Sequence, residues 1–316
     1  MASLPELLER LEGLRRRRRA YILAHNYTLP EVQDAADYVG DSLEMALQAA
    51  SVDADVIVVA GVRFMAEVAK LLNPDRVVLH PEPAAGCPLA DNATREAVER
   101  FRREHPGAPL LMYVNSPVEA KALADYVVTS ASAVEAARRL AREGYEALGL
   151  SPDRNLASWV GENVEARVVA VPPTGFCPVH EYLVSPYYIR RALEEHPGAR
   201  LLVHPEAPPA SRRLADYVGS TSQMLRYIGE TDPRGTYVLG TEEGLAYRAR
   251  RLYPEARVYP VSHRTVCIDM KKLTLDKIVE SLEKLEPKVE IPRVTAERAR
   301  EAVIRGFELI GRKLQV

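Results

Sequence analysis

The chain has 316 residues, and its 42 basic and 44 acidic side chains leave a net charge of −2, which excludes the cation surplus of a general nucleic-acid binder. Hydrophobic residues make up 47%, enough for a large core and too many for a disordered chain, yet no apolar run reaches the roughly 18 residues that span a bilayer. Its three cysteines are the wrong number for a disulfide framework, and no secretory h-region precedes them, so the expected setting is the reducing cytoplasm.

In chain order, Ser3 and Glu6 have capping-box spacing, and Leu7, Leu8, Leu11 and Leu14 supply one apolar face, which predicts an N-terminal helix. The arginines at 15–19 read as its solvated end, where cations suit the helix dipole. Strands are then expected near 20–25, 56–60 and 76–80, separated by helices near 34–50 and 63–72, with a cysteine loop and a further helix closing the unit. Unbroken runs such as Val56-Ile57-Val58-Val59 read as parallel strands buried on both faces and joined by crossover helices. Leu110-Leu111-Met112 and Leu201-Leu202-Val203 open the same pattern twice more. The tail, 295–314, places Val303, Ile304, Phe307 and Ile310 at helical spacing, which predicts a packing helix.

The pattern is a repeat. Ala36-Asp37-Tyr38-Val39, Ala124-Asp125-Tyr126-Val127 and Ala215-Asp216-Tyr217-Val218 recur at offsets of 88 and 91 residues, and Cys87, Cys177 and Cys267 follow at intervals of 90. The period is too long for a solenoid. It predicts an α/β protein of three similar three-layer αβα domains, each with a small parallel sheet. The expected division is 1–107, 108–197 and 198–285, with 286–316 as the C-terminal packing helix. Units of this size sit near the low end for a domain, so they should lean on one another.

Polar residues repeat with the fold. Counted from the leading alanine of each tetrapeptide, His25, Tyr113 and His204 lie eleven residues before it, and Tyr27, Asn115 and Glu206 nine before. Both sets fall at the carboxyl end of a unit's first strand, where open parallel sheets bind ligands. Ser42, Ser130 and Thr221 lie six residues after that alanine, at a helix turn facing the same crevice, and suit either ligand binding or local capping. Asp37, Asp125 and Asp216 read as structural. Glycine and proline flank Cys87 and Cys177, marking exposed tight loops, while the loop at Cys267 has neither and rests on the repeat alone. No Cys-x-x-Cys pair suggests a zinc ribbon. Three thiolates from three equivalent loops would leave a fourth position of a metal or cluster open for Lewis-acid chemistry.

His25-Asn26-Tyr27, Gly61-Val62-Arg63-Phe64-Met65-Ala66-Glu67, Tyr113-Val114-Asn115-Ser116, Cys177-Pro178-Val179-His180 and His204-Pro205-Glu206 together resemble the quinolinate synthase family over residues 20–285. The resemblance implies three αβα domains about a pseudo-threefold axis. It also implies condensation of iminoaspartate with dihydroxyacetone phosphate to quinolinate, phosphate and water in NAD biosynthesis, with functional coupling to an iminoaspartate-producing enzyme. Cys87, Cys177 and Cys267 would hold a [4Fe-4S] cluster. His25, Ser42, Tyr113, Asn115, Ser130, His204 and Thr221 would bind substrate, Tyr27 and Glu206 would move protons, and His180 would lie close to the cluster. A partly buried Glu206 would supply a base of near-neutral pKa. With one cysteine in the third unit, the Cys-x-x-Cys-x-x-Cys redox switch of some members is not available. With no Gly-rich loop, hydroxyls and helix N-termini must hold the phosphate. The competing readings are a cluster-bearing redox sensor and a zinc protein using three thiolates and His180.

Overall fold

Alternating apolar runs and helical patterns become twelve strands in three sheets among the residues described by the computed structural model, 3–314. The first sheet comprises β1 (Ala20–His25), β2 (Tyr38–Gly40), β3 (Val56–Ala60) and β4 (Val77–Leu79), in the order β2-β1-β3-β4. The second, β5 (Leu110–Tyr113), β6 (Tyr126–Val128), β7 (Ala147–Ser151) and β8 (Arg167–Ala170), repeats that order. So does the third, made of β9 (Arg200–Val203), β10 (Tyr217–Val218), β11 (Thr236–Gly240) and β12 (Arg257–Pro260). Every pairing within the sheets is parallel. The chain steps outward from the first strand of each sheet and then returns to its other side. That reversal opens a crevice at the carboxyl ends of β1, β5 and β9.

The expected three strands per unit are in fact four. The repeated tetrapeptide, expected at the start of a long helix near 34–50, instead forms the short edge strands β2, β6 and β10. The helix is thereby broken into Pro30–Ala35 and Ser42–Ser51. The tetrapeptide aspartate explains its own recurrence. Asp37, Asp125 and Asp216 accept the N–H of Ile22, Leu110 and Leu201 at 2.8, 2.6 and 2.7 Å. Each returns its own N–H to the carbonyl of the same residue, so one side chain staples the edge strand to its neighbour.

The first two units share a core that runs from Leu23, Ile57 and Val59 through Leu110, Leu111 and Leu148 to Val303 and Phe307 of the tail. The N-terminal helix, Leu4–Arg18, buries Leu11 and Leu14 against Ile278 and Leu282 of the helix Leu275–Lys284. Leu8, expected on that face, is exposed because the partner helix covers only the narrower stripe. The tail helix, Arg293–Leu309, packs on β6 and on the helices Val118–Lys121 and Arg63–Leu72. At Gly306 the two backbones approach so closely that a Cβ would sit 1.8 Å from the Val127 carbonyl oxygen. No helix among the described residues is long and apolar enough to cross a membrane.

Candidate active site

The carboxyl ends of the three sheets open on one cavity, whose empty space including its mouth is about 670 Å³. His25 and Tyr113 end β1 and β5, and His204 follows β9 directly, so equivalent strand ends deliver three polar side chains to its wall. Two residues further on, Tyr27, Asn115 and Glu206 reach the same space. Ser42 and Thr221 are the first residues of the helices Ser42–Ser51 and Thr221–Thr231, and Ser130 precedes the helix Ala133–Arg142; all three hydroxyl residues line the cavity. Cys87, Cys177, Cys267 and His180 complete the wall. Thus every candidate site residue named from the sequence lines this one cavity.

The side chains form a chain of contacts, hydrogen-bonded at every link but one. Tyr113 Oη donates to Glu206 Oε1 at 2.5 Å, with Asn115 Nδ2 3.4 Å from the same oxygen. On the other side, His180 Nδ1 lies 3.0 Å from Glu206 Oε2. The imidazole is turned off the line of a hydrogen bond, and Nδ1 is buried without one. His180 Nε2 meets Thr241 Oγ1 at 2.9 Å, and that hydroxyl meets Tyr27 Oη at 2.5 Å. The path from Tyr27 through Thr241 and His180 to Glu206 and Tyr113 draws on all three units, and the His180 ring stacks on His204 with centroids 4.8 Å apart.

Burial sets most of the electrostatics. It lowers His25 to about 4 and His204 to about 3, so both imidazoles are neutral at neutral pH. Burial, reinforced by the Glu206 charge, pushes the phenols of Tyr27 and Tyr113 well above their ordinary value. Glu206 runs the other way. Burial would raise its carboxyl, but His180 and the Tyr113 hydroxyl overcome this and hold it at about 2. The expected partly buried, near-neutral Glu206 is therefore corrected: the residue is 3% exposed and ionised. The near-neutral carboxyl of the cavity is Glu242, which burial raises to about 7 although Lys271 Nζ sits 2.9 Å away.

The cysteine loops repeat in detail, including the third, which lacks glycine and proline. The carbonyl two residues before each cysteine (Ala85, Gly175, Thr265) accepts the N–H of Arg63, Arg154 and Glu243 at 2.9, 2.8 and 2.9 Å. Each cysteine then opens a helical turn, its carbonyl accepting the N–H of Asp91, Glu181 or Lys271. In the second unit that turn is a π-turn, Val179–Leu183, which carries His180. Burial raises all three thiols, Cys267 to about 11, while the backbone N–H groups of Ala90, His180 and Met270 oppose it. Such groups stay protonated until a metal centre takes them as thiolates. Donor atoms of Cys177, His180 and Glu206 lie within 4.8 Å of one another.

A family model described as Quinolinate synthetase A protein matches residues 9–308. The chain belongs to that family. Similar members include the quinolinate synthase of Pyrococcus horikoshii, 45% identical over 304 residues that cover 96% of this chain and 99% of the relative. That of Pyrococcus furiosus is 43% identical over 98% of this chain and all of the relative, and that of Thermotoga maritima 39% identical over 96% and all of the relative.

This family member also carries site residues that the sequence did not reveal. By strand register Ala60, Ser151 and Gly240 are equivalent, so the position two residues later holds Val62, Asp153 and Glu242. Glu242 accepts the Cys267 N–H at 3.1 Å and the Gly244 N–H at 2.7 Å. Asp153 caps the helix Arg154–Gly161 through Leu156 N–H at 2.7 Å, and burial raises its pKa. Asp41 caps the helix Ser42–Ser51 and also accepts from Ser220 and Ser222 of the third unit. Counting from the third strand of each unit, rather than from the tetrapeptide, reaches Thr241, Glu242 and Asp153.

Proposed function

We propose that this chain is a quinolinate synthase that condenses iminoaspartate with dihydroxyacetone phosphate to quinolinate, phosphate and water in NAD biosynthesis, in the cytoplasm. The observation that carries the reading is one cavity walled by three equivalent cysteine loops and crossed by the Tyr27–Thr241–His180–Glu206 path. Three thiols on equivalent loops around one cavity support a [4Fe-4S] cluster on Cys87, Cys177 and Cys267. Held by three thiolates, such a cluster would leave one iron without a protein ligand and would supply Lewis-acid chemistry to the cavity.

The chain's own residues do the rest. Ser42 and Thr221, at helix N-termini, and the Ser130 hydroxyl receive the phosphate and carboxylates, where backbone N–H groups and dipoles favour anions. Neutral His25 and His204, with Tyr113 and Asn115, orient the substrates by hydrogen bonds without adding fixed charge. Glu206, ionised and desolvated, accepts the proton removed during enolisation, and Tyr27 keeps a proton to donate at the dehydrations. His180 and Thr241 lie between them, and a small turn of the imidazole that aligns Nδ1 with Glu206 Oε2 completes a route for protons across the cavity. A sensor that only grips a metabolite has no use for such a path. The imine substrate comes from an iminoaspartate-producing enzyme.

Anaerobic purification followed by iron, sulfide and product analysis tests this. The expected protein is brown, with about four irons per chain, and forms quinolinate only when both substrates are present. Serine at Cys87, Cys177 or Cys267 should abolish colour and activity together. Glu206→Gln should keep its iron and lose roughly 100-fold or more in rate. Colourless protein with one zinc, or iron-loaded protein that makes no quinolinate, would overturn the reading.

A further inference from the structure

Cys177, His180 and Glu206 form one compact set of donors in the cavity wall. Their donor atoms lie within 4.8 Å of one another, and His180 Nδ1, buried and without a hydrogen bond, faces Glu206 Oε2 at 3.0 Å. Tetrahedral zinc bonded at about 2.0–2.1 Å to nitrogen and oxygen separates such donors by about 3.3 Å. The pair therefore needs to open by only a few tenths of an ångström, while the Cys177 sulfur, within 4.8 Å of both, must settle at the roughly 3.5 Å that a Zn–S bond of about 2.3 Å sets.

The surroundings fix both side chains in the required sense. Thr241 Oγ1 engages His180 Nε2 at 2.9 Å and turns Nδ1 toward the carboxylate, as outer partners do for metal-bound histidines. Tyr113 and Asn115 occupy Glu206 Oε1, leaving Oε2 for a cation. One sulfur, one imidazole nitrogen and one carboxylate oxygen form a borderline-soft set that suits zinc, and the cavity supplies water for the fourth position.

We propose that in the cluster-free protein these three side chains bind a single zinc ion, through Cys177 Sγ, His180 Nδ1 and Glu206 Oε2. Binding converts the Cys177 thiol to thiolate and releases its proton to solvent, with no change of oxidation state. Because Cys177 serves both centres, zinc and the cluster exclude each other, and zinc blocks cluster assembly until it is removed. Zinc binding itself does not depend on the proposed activity; only the competition rests on the cluster reading.

The test uses full-length protein stripped of iron anaerobically and titrated with cobalt(II) as a spectroscopic stand-in for zinc. One equivalent should produce a thiolate-to-cobalt charge-transfer band, and one equivalent of zinc should erase it. The band should vanish in Cys177→Ser and persist in Cys87→Ser and Cys267→Ser. Thr241→Val should weaken binding by about 10–100-fold, and His180→Ala by at least as much, with circular dichroism confirming the fold. Loss of the band in Cys87→Ser or Cys267→Ser would mean that the three thiolates take the ion, and overturns the proposal even if the histidine variant does not fold. So would a failure of the parent protein to bind, or unchanged binding in Thr241→Val. Zinc-loaded protein should take up no iron and sulfide until chelated. Uptake alongside retained zinc would overturn the shared use of Cys177 while leaving the activity reading intact.

Discussion

Lys121 is the most deeply committed charge outside the network. It ends the helix Val118–Lys121 with no solvent exposure, donates to the Ser116 carbonyl, and lies 5.5 Å from the centroid of the Phe64 ring. Burial lowers its ammonium from 10.5 to about 8, with Glu67 pulling the other way. A base whose folded pKa lies below its unfolded one costs stability at low pH and is relieved as pH rises. Between about 8 and 10.5 the unfolded chain binds more protons, so stability should climb. Measured against Lys121→Met by denaturant unfolding, the parent should gain on the order of 3 kcal/mol across that window. A flat difference would show that Glu67 keeps the ammonium charged throughout. Residues of this kind were hard to read from sequence. The rings at His25, Tyr113 and His204 were legible because a shared tetrapeptide fixes the count to each first strand. Thr241, Glu242 and Asp153 follow third strands that share no such marker, and the depressed pKa of Glu206 depends on His180, which reaches it from another unit.

At the level of elements, parallel strands and crossover helices were legible wherever an apolar run is long enough to show its period. The edge strands β2, β6 and β10 are two or three residues long, too short for any periodicity, and only the aspartate staple explains why they pair. The tail shows the complementary limit. Its apolar stripe announces a buried face without naming the surface that buries it. The answer is the outer edge of β6, where the helix covers a strand that would otherwise offer unpaired backbone groups. Gly306 is what permits the contact. Gly306→Ala must push the helix off Val127 and should cost about 1–3 kcal/mol or more, as overpacking does. Thermal unfolding should shift downward, and the segment beyond residue 287 should become sensitive to protease. An unchanged midpoint would mean that the tail contributes little to holding the second unit.

Across the molecule, the units are locked by buried polar contacts as well as by shared core. Asn26 donates to Thr221 at 2.9 Å, Gln33 to the Gly244 carbonyl at 3.3 Å, and Lys271 to the Tyr27 carbonyl at 2.8 Å, all between the first and third units. Tyr113 and Asn155 tie the second unit to Glu206 of the third. Loosening one unit strips partners from buried groups in the others, so unfolding should be a single cooperative event. The sole tryptophan, Trp159, reports on the second unit, and its fluorescence transition should coincide with the loss of helix and sheet seen by circular dichroism. Separate transitions would mean that the units melt independently. The three-unit ring also bears on how such a pocket could arise. In a homotrimer every wall position is occupied by three copies of one residue, and a change that helps one wall is imposed on all. Joining the units in one chain lifts that constraint. A single ring position can then hold tyrosine, asparagine and glutamate, as at 27, 115 and 206, while the cysteine position keeps its threefold identity. The pocket is symmetric where it gathers thiols and asymmetric where the proposed reaction would have it tell two unlike substrates apart.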